Sequence, residues 1–129
     1  MASNFAYLNT RDFEFIAQEW LPTEQVFAYE DFADYYSKDD VRSILEPFRK
    51  MVKEVVEPTN EDGNSNPCTF ANGKVTTPTS FGPLFHKLQQ DGWGTANIGY
   101  GEDAMTMPQF LFAFCTEMLG AGNPAFMPY

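Results

Sequence analysis

The sequence is poor in residues that bind metals or act as nucleophiles. Its single histidine, His86, has no second histidine or cysteine four positions away with which to share a metal ion. The two cysteines, Cys68 and Cys115, can form at most one disulfide and so provide no disulfide framework. Cys115 lies on an apolar helical stripe without a nearby histidine, which is typical of packing. We therefore expect no metal site and no catalytic residue in this chain.

Basic residues are also scarce. The chain has 8 Lys and Arg against 18 Asp and Glu, a formal charge of −10, so a phosphate backbone would repel it. No apolar run is long enough to span a bilayer. The N-terminus has neither the basic nor the apolar region of a secretory signal. These features predict a cytoplasmic protein that binds no nucleic acid and has no membrane span.

Motifs for phosphates and calcium are missing as well. The glycines at 92, 94, 99 and 101 follow a predicted helix, whereas phosphate-binding glycines follow a strand and open a helix. Glu61 and Asp62 stand beside Gly63, but the later bidentate glutamate of a calcium loop is absent. We interpret these two carboxylates as part of a solvated loop.

Aromatic residues are abundant by contrast. They make up 16% of 129 residues, and 13 of them are phenylalanines that need neighbours to bury them. Apolar side chains recur at helical spacing in five segments. These segments cover residues 11–21, 24–35, 38–56, 80–91 and 107–119. The third has the clearest stripe, and the fifth is apolar around most of its circumference, which predicts a central position.

The remaining residues predict the connections. Pro58 and Gly120 are expected to end the third and fifth helices. Residues 58–79 are polar and form a long loop, within which Asn72-Gly73 predicts a type I′ turn and a small hairpin. The sequence therefore predicts an all-α fold, a small bundle of about five helices with one long polar loop that carries a hairpin.

Three stretches resemble the N-terminal region of acyl-CoA dehydrogenases. In residues 48–61 a helix runs into a Pro-Thr-Asn-Glu turn, and in residues 85–93 a helix ends in Gly-Trp. Residues 107–126 form a helix that leads into a turn of small residues. The order and spacing of these stretches agree with that family. Residues 1–129 are therefore similar to its N-terminal helical domain.

Two further features resemble one branch of the family. Residues 8–15 and the Asn72-Gly73 hairpin look like the larger acyl-CoA dehydrogenases, which include methylthiopropanoyl-CoA dehydrogenases. Residues 98–108 depart from the family pattern, because Asp103 and Ala104 stand where most members have tandem glycines. This departure raises the hypothesis of an atypical substrate.

The resemblance implies what a complete protein would do. In this family FAD lies mainly between a β-barrel domain and a C-terminal helical domain, and the catalytic glutamate belongs to the C-terminal part in most members. The complete protein is therefore expected to be a homo-oligomeric, FAD-dependent enzyme that introduces an α,β double bond into an acyl-CoA thioester. This chain would form one wall of the acyl pocket, would hold no FAD itself and would be inactive alone. Its apolar ending at residues 126–129 is interpreted as a truncation.

The resemblance also indicates site residues after the fifth helix. Asn123 takes the position where many relatives carry a small hydroxyl residue, near the flavin and the thioester end of the acyl chain. Phe126 and Met127 follow on the same apolar path. The substitution Asn123→Leu is then expected to alter turnover and leave folding intact. The structural alternative is that residues 122–124 only terminate the helix.

A second hypothesis belongs to a different class of protein. A non-catalytic helical module, or a degenerate subunit that docks on other proteins, would also lack catalytic residues. The altered stretch 98–108 favours this module, whereas the family-like ending 123–126 favours the enzyme domain. The reading frame downstream of codon 129 would discriminate between the two.

Overall fold

A short helical region precedes the main helices. The computed structural model describes residues 10–95 and 106–128. Helix α1 (Arg11–Phe15) continues as a π-helical segment, Ile16–Trp20, and this region buries Phe13 and Ala17. Two short helices follow, α2 (Thr23–Phe27) and α3 (Glu30–Ala33). The predicted single helix over 24–35 is therefore wrong, because Tyr29 adopts an extended conformation that divides it.

Helix α4 (Asp40–Met51) carries the predicted apolar stripe. The Ser37 amide donates a hydrogen bond to Asp40 Oδ2 at 2.8 Å, and the Ser37 hydroxyl donates to the same oxygen at 2.6 Å. These bonds hold the turn that leads into the helix. The helix continues as a π-helical segment, Val52–Val56, and contains Pro47. The buried apolar side chains of this stretch are those of Val41, Leu45, Phe48, Val52 and Val56.

The predicted polar loop after α4 is partly helical. A 3₁₀ turn, Glu57–Thr59, takes the chain through Pro58 and directly into α5 (Asn60–Ser65). A Cβ atom on Gly63 would lie 2.8 Å from the Phe81 ring, so glycine allows α5 to pack closely there. The interpretation of residues 58–79 as wholly loop was wrong, because tertiary packing stabilises a segment without an apolar stripe.

The predicted hairpin is present. Strands β1 (Thr69–Ala71) and β2 (Lys74–Thr76) pair antiparallel, with Phe70 opposite Val75. Asn72 and Gly73 have φ values of 53° and 75°. Positive φ at both central residues is the geometry of a type I′ turn, which confirms the prediction.

Two longer helices complete the described chain. Helix α6 (Phe81–Gln90) is followed by Gly92, whose φ of 82° is the left-handed conformation expected after a helix. A 3₁₀ turn, Trp93–Thr95, comes next. Helix α7 (Gln109–Gly122) does not stop at Gly120 as predicted but continues two residues further.

Helix α7 and the α4 stripe form the centre of one core. The buried apolar side chains include Leu45, Val52, Leu111, Phe114 and Met118. Aromatic pairs surround them, with ring centroids 5.0 Å apart for Phe13 and Phe114 and 5.6 Å apart for Phe27 and Phe110. The prediction of a small, mostly helical domain is confirmed, since the described residues contain only a two-stranded sheet besides their helices.

The carboxylate of Asp62 ties α5 to the start of α6. Its Oδ2 accepts hydrogen bonds from the Ser80 hydroxyl at 2.7 Å, the Ser80 amide at 3.0 Å and the Thr79 hydroxyl at 3.3 Å. Its Oδ1 accepts one from Asn66 Nδ2 at 2.8 Å. The bonds from Ser80, then the one from Asn66, lower the pKa of Asp62 to about 2. Asp62 is thus a structural acceptor, and the interpretation that it lies in a loop is wrong because it belongs to α5.

Truncation of the central stripe tests the core. We expect Leu45→Ala to lower the free energy of unfolding by about 2–5 kcal/mol, because it leaves a cavity between α4 and α7. Urea unfolding measures the change, and Lys50→Ala on the exposed side of the same helix is the matched control. Equal stability of the two variants would show that the α4 stripe is not core.

The Asp62 hydrogen bonds predict a dependence of stability on pH. Since the pKa is lower in the folded chain, this stabilisation is present above the ordinary aspartate pKa of about 3.8 and is lost as the pH falls towards about 2. We expect Asp62→Asn to lower the melting temperature at neutral pH. The difference from the parent chain should shrink between pH 4 and 2, which calorimetry at stepped pH measures. A difference that stays constant over this range would contradict the account.

Candidate functional site

An apolar groove lies where α4, α6 and α7 meet. It has a volume of about 230 Å³. Its floor is built from core residues of the three helices, and Trp93 closes one side by packing edge-on against Phe48, with ring centroids 4.6 Å apart. The lining residues are Phe48, Phe85, Leu88, Gln89, Trp93, Gly94, Met107, Phe112, Cys115, Thr116, Leu119, Phe126 and Met127.

The few polar groups in the groove are neutral. The Thr116 hydroxyl donates a hydrogen bond to the Phe112 carbonyl oxygen at 2.8 Å, which satisfies it within α7. Burial raises the pKa of the Cys115 thiol to about 12, so the thiol stays protonated and is a poor nucleophile. None of the lining residues within 10–95 and 106–128 is charged. The groove therefore suits an apolar segment of a ligand.

Two of the three predicted site residues line this groove. Phe126 is buried and packs edge-on against Phe81, with ring centroids 5.3 Å apart. Met127 is 46% exposed and lies at the rim. A Cβ atom on Gly120 would lie 2.8 Å from the Met127 sulfur, so glycine here lets Met127 fold back over α7. The structure thus brings Phe126 and Met127 together beside α7.

The third predicted residue, Asn123, does not line the groove. It is fully buried, and its Nδ2 donates a hydrogen bond to Thr59 Oγ1 at 2.8 Å. Its Oδ1 accepts one from the Phe126 amide at 3.0 Å. The Thr59 hydroxyl in turn donates to the Val56 carbonyl at 2.7 Å. The side chain therefore joins the end of α7 to the end of the α4 region and orients Phe126.

Sequence reasoning missed Phe112 and Thr116 as groove residues and did not predict the contact between Trp93 and Phe48. Phe112 lies off the stripe with which α7 contacts the core. Its apolar side chain at that position was the signal in the sequence that α7 has a second apolar face. The contact between Trp93 and Phe48 joins segments far apart in the chain, which periodicity does not reveal.

Other predicted features are either exposed or outside the described residues. His86 and Cys68 are exposed. Most of the altered stretch 98–108 lies outside the described ranges, as does the start of the 8–15 segment. Within residues 10–95 and 106–128, no three His, Cys, Asp or Glu side chains lie close enough to hold a metal ion. No helix in the described part of the chain has the length and apolar character needed to cross a membrane.

The groove does not fit FAD as a whole. The diphosphate of a dinucleotide needs cations or the amides of a helix N-terminus. The described lining residues offer no charged side chain, and none of them is among Gln109, Phe110 and Leu111, whose amides begin α7. These residues therefore do not form a flavin site by themselves.

The hydrogen bonds of Asn123 correct one expectation. Asn123→Leu was expected to leave folding intact, but leucine would leave the Thr59 hydroxyl without its buried donor. We now expect this substitution to lower the free energy of unfolding by about 1–3 kcal/mol. Chemical unfolding of the variant, with Pro124→Ala as an exposed control on the same turn, measures the loss. An Asn123→Leu variant as stable as the control would mean that the hydrogen bonds contribute little.

The chain is similar along nearly its whole length to two proteins of Syntrophomonas wolfei subsp. wolfei (strain DSM 2245B / Goettingen), each named butyryl-CoA dehydrogenase. One is 26% identical across 95% of this chain, which covers 20% of the relative. The other is 29% identical across 98% of this chain, which covers 21% of the relative. The chain thus spans about one fifth of the length of these relatives. No family model and no solved structure matches it. The two similarities support an acyl-CoA dehydrogenase-like family for this chain.

Proposed function

We propose that this chain is the N-terminal helical domain of a longer, FAD-dependent acyl-CoA dehydrogenase. The complete enzyme would introduce an α,β double bond into an acyl-CoA thioester. The observation that carries this proposal is the similarity to two proteins named butyryl-CoA dehydrogenase over nearly all of this chain but only about one fifth of theirs. A helical domain with one core and no catalytic group in its groove is what such a part of a larger enzyme requires.

The apolar groove would be one wall of the acyl pocket. Burial of an acyl chain contributes about 0.8 kcal/mol for each methylene group. The uncharged lining and the protonated Cys115 thiol suit a hydrocarbon segment, whereas the nucleotide of CoA would remain outside. Phe126 and Met127 would contact the acyl chain near its thioester end, and Asn123 would hold Phe126 in place.

FAD would be held by the rest of the enzyme, because the groove does not fit its diphosphate. The isolated chain would then bind no flavin and have no activity. The type I′ hairpin supports membership of the larger branch of the family, which resembles methylthiopropanoyl-CoA dehydrogenases. The complete enzyme would be homo-oligomeric and cytoplasmic and would act in fatty acid metabolism.

A non-catalytic interaction module is the alternative function. Asp103 and Ala104, in place of the tandem glycines of most family members, favour it. If the chain were such a module, the complete gene product would bind no flavin and would not turn over acyl-CoA. Measuring these two properties on the complete gene product therefore distinguishes the two functions.

Filling the groove tests the pocket role in the complete enzyme. We expect Leu119→Trp to lower the turnover of long acyl-CoA substrates more than that of short ones, because the larger side chain reduces the volume that the groove offers to the acyl chain. Steady-state kinetics over a series of chain lengths measures this preference. Glu117→Trp, on the exposed side of α7, is the matched control. An unchanged chain-length preference in the Leu119 variant would contradict the pocket assignment.

A further inference from the structure

The hairpin of β1 and β2 projects from the helical body into solvent. All of its residues from Thr69 to Thr76 are exposed. Phe70 and Val75 are 73% and 57% exposed, so two large apolar side chains lie outside the core. A two-stranded hairpin without a core behind it is only marginally stable in water. No core within residues 10–95 and 106–128 covers its exposed apolar residues.

The two apolar side chains share one face of the hairpin. Phe70 and Val75 are direct cross-strand partners, so their side chains extend from the same side of the ribbon. Lys74, the hairpin's one charged residue, pairs with Ala71 and belongs to the opposite face. The Phe70–Val75 face is thus uncharged in a chain of formal charge −10. Such a face suits an apolar surface.

Asp62 holds the two chain segments that flank this hairpin. Its carboxylate accepts hydrogen bonds from Asn66, which precedes β1, and from Thr79 and Ser80, which follow β2. The same side chain thereby ties both ends of the hairpin to α5. At the tip, the Asn72-Gly73 turn needs no partner to adopt its geometry. Because the flanking segments are already held, the hairpin loses less conformational entropy on docking than a free segment would.

We propose that this hairpin is a docking arm whose Phe70–Val75 face is covered by an apolar surface of the same polypeptide, outside these 129 residues. The proposal rests on the proposed function, because it requires the longer protein. A separate partner would need to bury about 1,200–2,000 Å² in a stable interface, far more than two side chains supply. A covalently attached partner has a high effective concentration, so a small contact suffices. The relatives are about five times the length of this chain.

Hydrogen exchange of the hairpin amides tests this arm. Rates would be measured in the 129-residue chain and in the complete polypeptide, and their ratio reports the protection that docking adds. We expect the amides of residues 69–76 to exchange at least about tenfold more slowly in the complete polypeptide. Phe70→Ser should abolish that gain, whereas Thr76→Ser on the opposite face should retain it. Equal rates in the two proteins would overturn the proposal.

Two further readouts separate the possible failures. Protection that rises with the concentration of the isolated chain would indicate a second copy as the occupant and overturn the proposal. Flavin content and acyl-CoA turnover are measured on the same complete polypeptide. A protected hairpin without turnover supports the arm and contradicts the enzymatic function. Turnover with an unprotected hairpin supports the enzymatic function and overturns the arm.

Discussion

Helix α7 is apolar around most of its circumference, so it is stable only where other elements cover it on several sides. The α4 stripe covers one side, and Phe13, Phe27 and Phe81 bring the surrounding segments into the same core. A side of α7 that carries Phe112, Thr116 and Leu119 is covered incompletely, and there the apolar groove remains. The core and the groove are thus two consequences of one unusually apolar helix.

Two polar side chains determine how the non-helical segments attach to this core. Asn123 is buried and joins the end of α7 to Thr59, and it accepts a hydrogen bond from the amide of Phe126, which lines the groove. Asp62 joins α5 to the start of α6 and holds the base of the hairpin. Asn123 is stable although it is buried, because both its amide nitrogen and its amide oxygen have hydrogen-bond partners. The several donors around Asp62 stabilise its charged form and so lower its pKa.

Periodicity predicted the main helices because their stripes are their contacts with the core. It failed at α5, whose six residues Asn60–Ser65 contain no apolar side chain and are helical because of Asp62 and the close approach at Gly63. It also ended α7 at Gly120, since nothing local shows that Met127 folds back there. The resemblance indicated Phe126 and Met127 as site residues, and both line the groove. The hydrogen-bonded role of Asn123 and the groove position of Phe112 depend on contacts between distant segments.

We propose that this chain is one wall of a binding pocket and acquires its function from the rest of a longer protein. The described residues of its groove form an apolar surface without charged side chains. The apolar side chains of its hairpin are exposed to solvent. Anaerobic titration of the complete native polypeptide with acyl-CoA, followed by flavin absorbance, tests this claim most directly. We expect a flavoprotein with a mass about five times the 14.6 kDa of this chain. Its flavin absorbance band should bleach when acyl-CoA is added. A native polypeptide that carries no flavin, or whose flavin no acyl-CoA reduces, would contradict the proposal.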